Sequence, residues 1–499
     1  MKETKKSNEK RQNVLPRRRF LGMIASGTAA FSIVPGFAVS GLGHTPPSDK
    51  LNIAGVGVGG IGRRDLSKIT GQNIVALCDV DWDYAAKIFK DYPDAKLYKD
   101  YRVMIEKQKD IDAVLVATPD HTHAIVAMAA MNLGKHVFVQ KPLCHSVYET
   151  RLITETARKC KVASQMGNQG NSGESIRQIC EWIWDGAIGE VREVHAWTNR
   201  PIWPQGLERP VEKMEVPMTL DWDLFLGPAP YRPYHSAYTP WNWRAWWDFG
   251  TGALGDMGCH IIDPIFKALK LKYPISVQGS STQVNTESAP IASRIKYEFP
   301  ARENLPKVAF PELTMYWYDG GLMPDRPDDL EEGIMMGDWS GGTLFIGTKG
   351  KLVAGLFGDN PILFPKSLKE NYQNPPQSLP RIKNGVDGHW MDWVRACKES
   401  PENRVPASSN FEYSGPLTET VVMGNLAIRL QDLKKKLLWD GQNMRITNIS
   451  DSDEVRVVTS DKFTVIDGHP HFDTQRIEIP AKVSSEEWIK HTYREGWSL

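Results

Sequence analysis

The chain has 499 residues, enough for two or more domains with substantial cores. Its 60 Lys and Arg balance 60 Asp and Glu, and this zero net charge counts against nucleic acid or an anionic membrane surface as partner. The six cysteines, at 78, 144, 160, 180, 259 and 397, include no C-x-x-C pair, which argues against a zinc ribbon or a thioredoxin-like site.

Residues 1–13 are polar and basic. Arg17-Arg18-Arg19-Phe20-Leu21 follows, then a mildly apolar run, Gly22–Val39, with small residues at Ala38-Val39-Ser40. This order predicts an export signal and linker over residues 1–45, the signal being removed on export. Pro35 and several glycines leave the run too weakly hydrophobic for a stable membrane anchor. Arg-Arg-x-Phe-Leu resembles the twin-arginine signal, with Pro16 in place of the usual Ser or Thr and Gly22 in place of Lys. The resemblance implies the twin-arginine export machinery as a partner, a passenger exported already folded, and the periplasm as destination.

Leu51–Val56 reads as an apolar strand, Gly57-Val58-Gly59-Gly60-Ile61-Gly62 as a turn, and Arg63–Thr70 as the helix it opens. Glycines there let the backbone turn tightly and approach a pyrophosphate at the helix N-terminus. A second strand, Ile74–Cys78, ends in Asp79, about 20 residues past the turn, where a carboxylate can bind a ribose hydroxyl. Gly57, Gly59, Gly60, Ile61, Gly62 and Asp79 are therefore expected to bind a dinucleotide. Asp79 favours NAD, because a 2′-phosphate would meet its charge; Arg63 and Arg64 leave NADP open. Strands at Ala113–Ala117, Val137–Val139 and Ala163–Met166 alternate with helices at Ala85–Asp91, Val103–Lys107, His123–Leu133 and Thr150–Cys160. The rhythm predicts a parallel Rossmann sheet over residues 50–170. Its strand ends carry Gly57, Asp79, Thr118-Pro119-Asp120-His121, Gln140-Lys141-Pro142 and Gly167-Asn168-Gln169.

Past residue 190 the segments Val191–Thr198, Ile275–Val284, Ile295–Phe299, Leu313–Tyr318 and Thr343–Ile346 are β-rich. They predict an open, mostly antiparallel sheet in an α/β substrate domain over residues 171–450. Trp241, Trp243, Trp246 and Trp247 crowd before Gly252. Aromatic faces stack on sugar C–H faces, so Trp241, Trp243 and Arg244, in a Pro/Gly-bounded loop, are expected substrate contacts; Trp246 and Trp247 divide evenly between that role and a core cluster. Asp256, His260 and Asp263 are spaced to share one helix face. An imidazole beside a carboxylate suits a general base. The same face could hold a divalent metal, though no metal is assigned. Ser414-Gly415-Pro416 reads as a helix start, and Arg326–Gly342 as an unassigned loop. Alternating Val and Ile over residues 454–482 predict extra strands in a C-terminal extension, 451–499.

Three ordered motifs follow the glycine turn: V-x-V-A-T-P-D-H-T-H (Val114–His123), G-K-H-V-F-V-Q-K-P-L (Gly134–Leu143) and G-A-L-G-D-M-G-C-H-I-I-D (Gly252–Asp263). Together they resemble the glucose–fructose oxidoreductase / inositol dehydrogenase (Gfo/Idh/MocA) family, in its exported twin-arginine branch. The resemblance implies a Rossmann domain followed by an α/β domain whose open sheet covers the active site. It implies Lys141 as catalytic lysine beside the nicotinamide, Asp256 as a group that orients substrate or assists proton transfer, and His260 as general base. Thr118, Pro119 and His121 fall where the family contacts nicotinamide and ribose, while His123 is expected to cap the next helix. Asn168 and Gln169 are further substrate candidates. Gln140 departs from the family's usual Glu, and Asn171 from the His of M-G-N-Q-G-H. Tyr493-Arg494-Glu495-Gly496-Trp497 resembles a terminal motif of relatives.

The implied activity is NAD-dependent hydride transfer to or from a ring hydroxyl of a sugar or glycoside, with C3 as the candidate carbon. The periplasm lacks a ready pool of free NAD, so the cofactor is expected to be tightly bound. Two alternatives stay open: a redox-neutral NAD-dependent glycosidase or lyase acting through a transient keto-sugar, and a non-catalytic sugar-binding protein. The open sheet could also pack against another subunit in a homo-oligomer, as in several relatives.

Overall fold

Short buried runs of Val, Ala, Leu and Ile make the first sheet, in the computed structural model that describes residues 49–499. The export segment expected over residues 1–45 lies outside the described residues. The strands are β1 (Asn52–Val56), β2 (Asn73–Cys78), β3 (Lys96–Tyr98), β4 (Ala113–Val116), β5 (His136–Val139) and β6 (Ser164–Met166). They are parallel throughout, in the order β3-β2-β1-β4-β5-β6. Every residue of β4 is buried, as a strand covered by helices on both faces requires. The order reverses between β1 and β4, and ligands of such sheets bind beyond the strand ends at that point.

The second sheet draws on β7 (Val191–Thr198), β8 (Ser276–Ser281) and β9 (Ser293–Phe299). A small hairpin follows, β10 (Arg302–Leu305) and β11 (Val308–Phe310), then β12 (Leu313–Tyr318), β13 (Gly341–Gly347), β14 (Lys351–Ala354), β15 (Ile362–Phe364), β16 (Leu437–Asp440) and β17 (Arg445–Ile446). Nine strands run in the order β15-β14-β13-β7-β12-β9-β8-β16-β17. Every pairing is antiparallel except β7 with β12, so the sheet is mixed. β9 alternates buried with more exposed residues, the pattern of a strand with one face in the core. The helix Phe411–Arg429 packs against β8 and β9. One apolar core runs from Val116 and Val139 of the first sheet through Leu254 and Ile261 to Met315 and Phe345 of the second. Leu51–Leu499 accordingly forms one unit.

The helix expected to start at Ser414 begins at Phe411, because the Asn410 side chain accepts from the Glu412 amide and caps it. Pro416 therefore lies inside the helix and forfeits one hydrogen bond. In the loop before β13, Arg326 donates to the carbonyls of Leu330, Glu331 and Ile334. β18 (Glu454–Ile466) and β19 (His469–Pro480) pair as a separate two-stranded ribbon, followed by the helix Ala481–Ile489.

Candidate active site

The glycine turn joins β1 to the helix Ile61–Lys68. Gly57 has φ +77°, and a Cβ there would stand 2.6 Å from the Thr118 amide; one on Gly62 would stand 2.5 Å from the Gly57 carbonyl. The Gly59 amide donates to Asp79 Oδ2 at 2.8 Å, and the Asp81 amide to Oδ1 at 3.0 Å. Both oxygens are thus oriented with lone pairs to spare, and burial pushes the carboxyl up to about 6. Gly57, Gly60, Ile61, Asp79, Thr118 and Pro119 border a cavity that opens to solvent. A backbone cradle that a Cβ would fill, a helix N-terminus and a carboxylate beyond it fit a dinucleotide.

A second cavity adjoins the first and shares Ile61, Thr118, Trp241, Trp243 and Arg244 with it. Lys141, just past β5, donates through Nζ to Asp256 Oδ1 and to the Asp256 carbonyl, both at 2.7 Å. Arg244 Nε donates to the same Oδ1 at 3.1 Å. Its guanidinium lies between the Trp241 and Trp243 rings, 4.1 and 4.3 Å from their centroids. Burial works against the Asp256 anion, but the Lys141 and Arg244 charges win and hold it well below the usual carboxylate range. One helical turn on, His260 lines the same cavity, with its ring edge-on to Phe357 at 5.1 Å. Burial, reinforced by the Lys141 charge, keeps this imidazole well below its ordinary pKa and so neutral. Its Nδ1 is buried without a partner among the described residues.

Gln169 lines this second cavity, and Trp241, Trp243 and Arg244 stand where the two cavities meet. Asn168 does not reach it: the residue is fully buried and donates to Asp263 Oδ2 at 3.0 Å. Nor does His121, whose buried ring faces the carbonyls of Phe225 and Phe249 at 2.9 and 3.2 Å. Both follow a strand end, yet their side chains point back into the protein and brace loops. Asp263 opens the next helix and binds Asn168, Asn171 and Tyr413, so it does not join Asp256 and His260 on one face. Among the described residues no cluster of His, Cys, Asp and Glu has metal-binding geometry. His123 is the first residue of the next helix, whose N-cap position is held by Thr122; its ring lies between the Pro142 and Thr118 carbonyls. Trp246 and Trp247 are buried.

Several neighbours escaped sequence reasoning. Tyr84 covers Gly59 and Gly60; an aromatic five residues past the ribose acid was the available signal. Asp120 accepts from the Thr251 amide and hydroxyl at 3.1 and 2.6 Å, tying the first sheet to the helix that carries Asp256. Burial pushes its carboxyl up to about 7. Gln140 donates to the buried Asp65 carboxylate at 2.6 Å. Arg200, Ile202 and Trp203 complete the second cavity.

A Rossmann crevice continuous with a Lys–Asp–His cavity defines an oxidoreductase site of the nicotinamide type. Residues 51–168 match the model of an oxidoreductase family with an NAD-binding Rossmann fold, and residues 189–303 match the C-terminal α/β domain of the same family. Both matched segments are domains of the Gfo/Idh/MocA family. It is 33% identical over 146 residues to an inositol 2-dehydrogenase of Salmonella typhimurium, covering 28% of this chain and 43% of that protein. A glycosyl hydrolase family 109 protein of Shewanella putrefaciens is 29% identical over 187 residues, covering 34% of this chain and 40% of its own length. The match spans less than half of either relative. The WlbA dehydrogenase of Bordetella pertussis, solved with NADH and UDP-GlcNAcA, shares the fold at a TM-score of 0.51 and 14% identity, covering 78% of this chain and 99% of its own.

Proposed function

We propose that the protein oxidises a ring hydroxyl of a sugar or glycoside, with C3 the candidate carbon, using NAD that stays bound between turnovers. The observation that carries this reading is the placement of Lys141, Asp256 and His260 around one cavity that opens into the crevice of the glycine turn. Bound NAD, held by the glycine turn and Asp79, supplies the hydride acceptor. His260, neutral through burial, takes the hydroxyl proton. The Lys141 ammonium, aligned by Asp256, hydrogen-bonds the same oxygen and steadies the negative charge that develops on it. Trp241, nearly half exposed, offers an aromatic face to the sugar ring.

Arg17–Leu21 supports export of the folded, loaded enzyme to the periplasm, where a bound cofactor must be restored by a second substrate or by return of its hydride. The glycosyl hydrolase match supports a second reading: transient oxidation, elimination of the aglycone and return of the hydride, with no net redox change. The test is the near-ultraviolet spectrum of the purified protein, without added cofactor, against a panel of simple glycosides. A reduced-nicotinamide band that grows with sugar supports oxidation. Aglycone release without the band favours the redox-neutral cycle, and neither signal sinks both.

A further inference from the structure

The ribbon β18–β19 and the helix Ala481–Ile489 lead the chain from the second sheet back to the first, where residues 492–497 are fastened at several points. The Tyr493 hydroxyl donates to Glu149, whose other oxygen accepts from the His145 and Ser146 amides at 3.0 Å. Arg494 bonds the Asp223 carboxylate at 2.6 Å and carbonyl at 3.1 Å, and the Gly227 carbonyl at 3.1 Å; its amide donates to the Pro228 carbonyl at 2.9 Å. These fastenings set down Trp497, half-buried, in the wall of the dinucleotide cavity, with the Arg102 guanidinium 4.5 Å from its ring centroid. The same wall holds Lys99, Asp100 and Tyr101. They follow Tyr98, whose carbonyl accepts from the Asp79 amide at 3.1 Å, so this end of the cavity lies beyond the ribose acid.

We infer that Trp497 is part of the cofactor site: its indole packs on the adenine of NAD, and the strap Thr492–Trp497 keeps the dinucleotide from leaving. Asp79 receives the adenosine ribose, and the base attached to that ribose meets Trp497 and the residues 99–101 rather than the Lys141 end. An indole offers a broad apolar face for a purine. The inference rests on the cavity holding NAD.

The test compares NADH with reduced nicotinamide mononucleotide, which lacks the adenosine half, on the full-length protein. Both are titrated by nicotinamide fluorescence into wild type, Trp497→Ala and Trp497→Phe after endogenous cofactor is stripped and counted. Trp497→Ala is expected to weaken NADH about 5- to 150-fold, the range of one base–aromatic stack, and to leave the mononucleotide unchanged. Trp497→Phe, which keeps an aromatic face, retains most of the NADH affinity. Should Trp497→Ala not fold, Trp497→Leu, bulky but not aromatic, replaces it with the same expectation. The inference is overturned if the substituted protein binds NADH like wild type, or if both ligands weaken together. Failure of the wild type to bind NADH removes the cofactor reading itself.

Discussion

Gln140 stands where the family usually has Glu, and restoring the acid at this one position has a calculable cost. The Gln140 amide donates to Asp65 across 2.6 Å, with both side chains buried, and burial already pushes the Asp65 carboxyl up. In Gln140→Glu two carboxylates meet there, and both cannot ionise, so the folded pair must hold a proton. An unfolded Glu releases its proton near pH 4.3. Each pH unit above that over which the folded pair keeps its proton lowers stability by about 1.4 kcal/mol. The sign follows from a carboxyl pKa raised by folding: the loss is greatest at neutral pH and shrinks as pH falls toward 4.3. Urea unfolding of wild type and variant between pH 5 and 8 measures the gap. Parallel curves separated by less than about 1 kcal/mol at pH 7 would refute the argument, because the pair would then have relaxed apart or reached water.

His260→Gln removes the proposed base and is expected to lower kcat by about 10²- to 10⁴-fold, with NADH affinity intact; a comparable loss of affinity would make the residue structural. Asp79, whose carboxyl sits at about 6, accepts from ribose best when ionised, so NADH affinity should decline as pH falls through about 6. Asp79→Asn should bind weakly and without that dependence, as titrations from pH 5 to 8 can show. Gly57→Ala forces a side chain into φ +77° and to 2.6 Å from the Thr118 amide. Its expected result is a loss of about 1 kcal/mol or more in thermal stability, with a further loss of NADH binding.

What could be read from the chain alone was whatever the backbone keeps local. β1, Gly57 and Asp79 lie within one strand–helix–strand unit, and Lys141 closes the β5 strand, so a short window contains their geometry. Asn168 and His121 looked equivalent to Gln169 and Thr118 because strand ends share an address. Which side chain turns outward depended on Asp263, Phe225 and Phe249, distant in sequence. The partners of Gln140 and Trp497 are likewise far along the chain, and no periodicity reports them. The start of the helix at Phe411 was set by a single capping Asn410 against the louder signal of Pro416.

Lys141 follows a strand of the first sheet, and its counter-charge Asp256 and the Arg244 that shares it belong to the later segment that carries the second sheet. Neither half therefore carries a finished active site. A chimera joining residues 51–170 to a foreign partner domain would leave the Lys141 ammonium without its counter-charge unless the new domain happened to place a carboxylate within about 3 Å. Trp241 carries the same coupling out to the rim: nearly half exposed, it stacks on the Arg244 guanidinium at 4.1 Å, so a change there reaches the shared charge cluster. An edit of the rim at Trp241 and an exchange of either sheet thus both disturb the one Lys141–Asp256–Arg244 cluster.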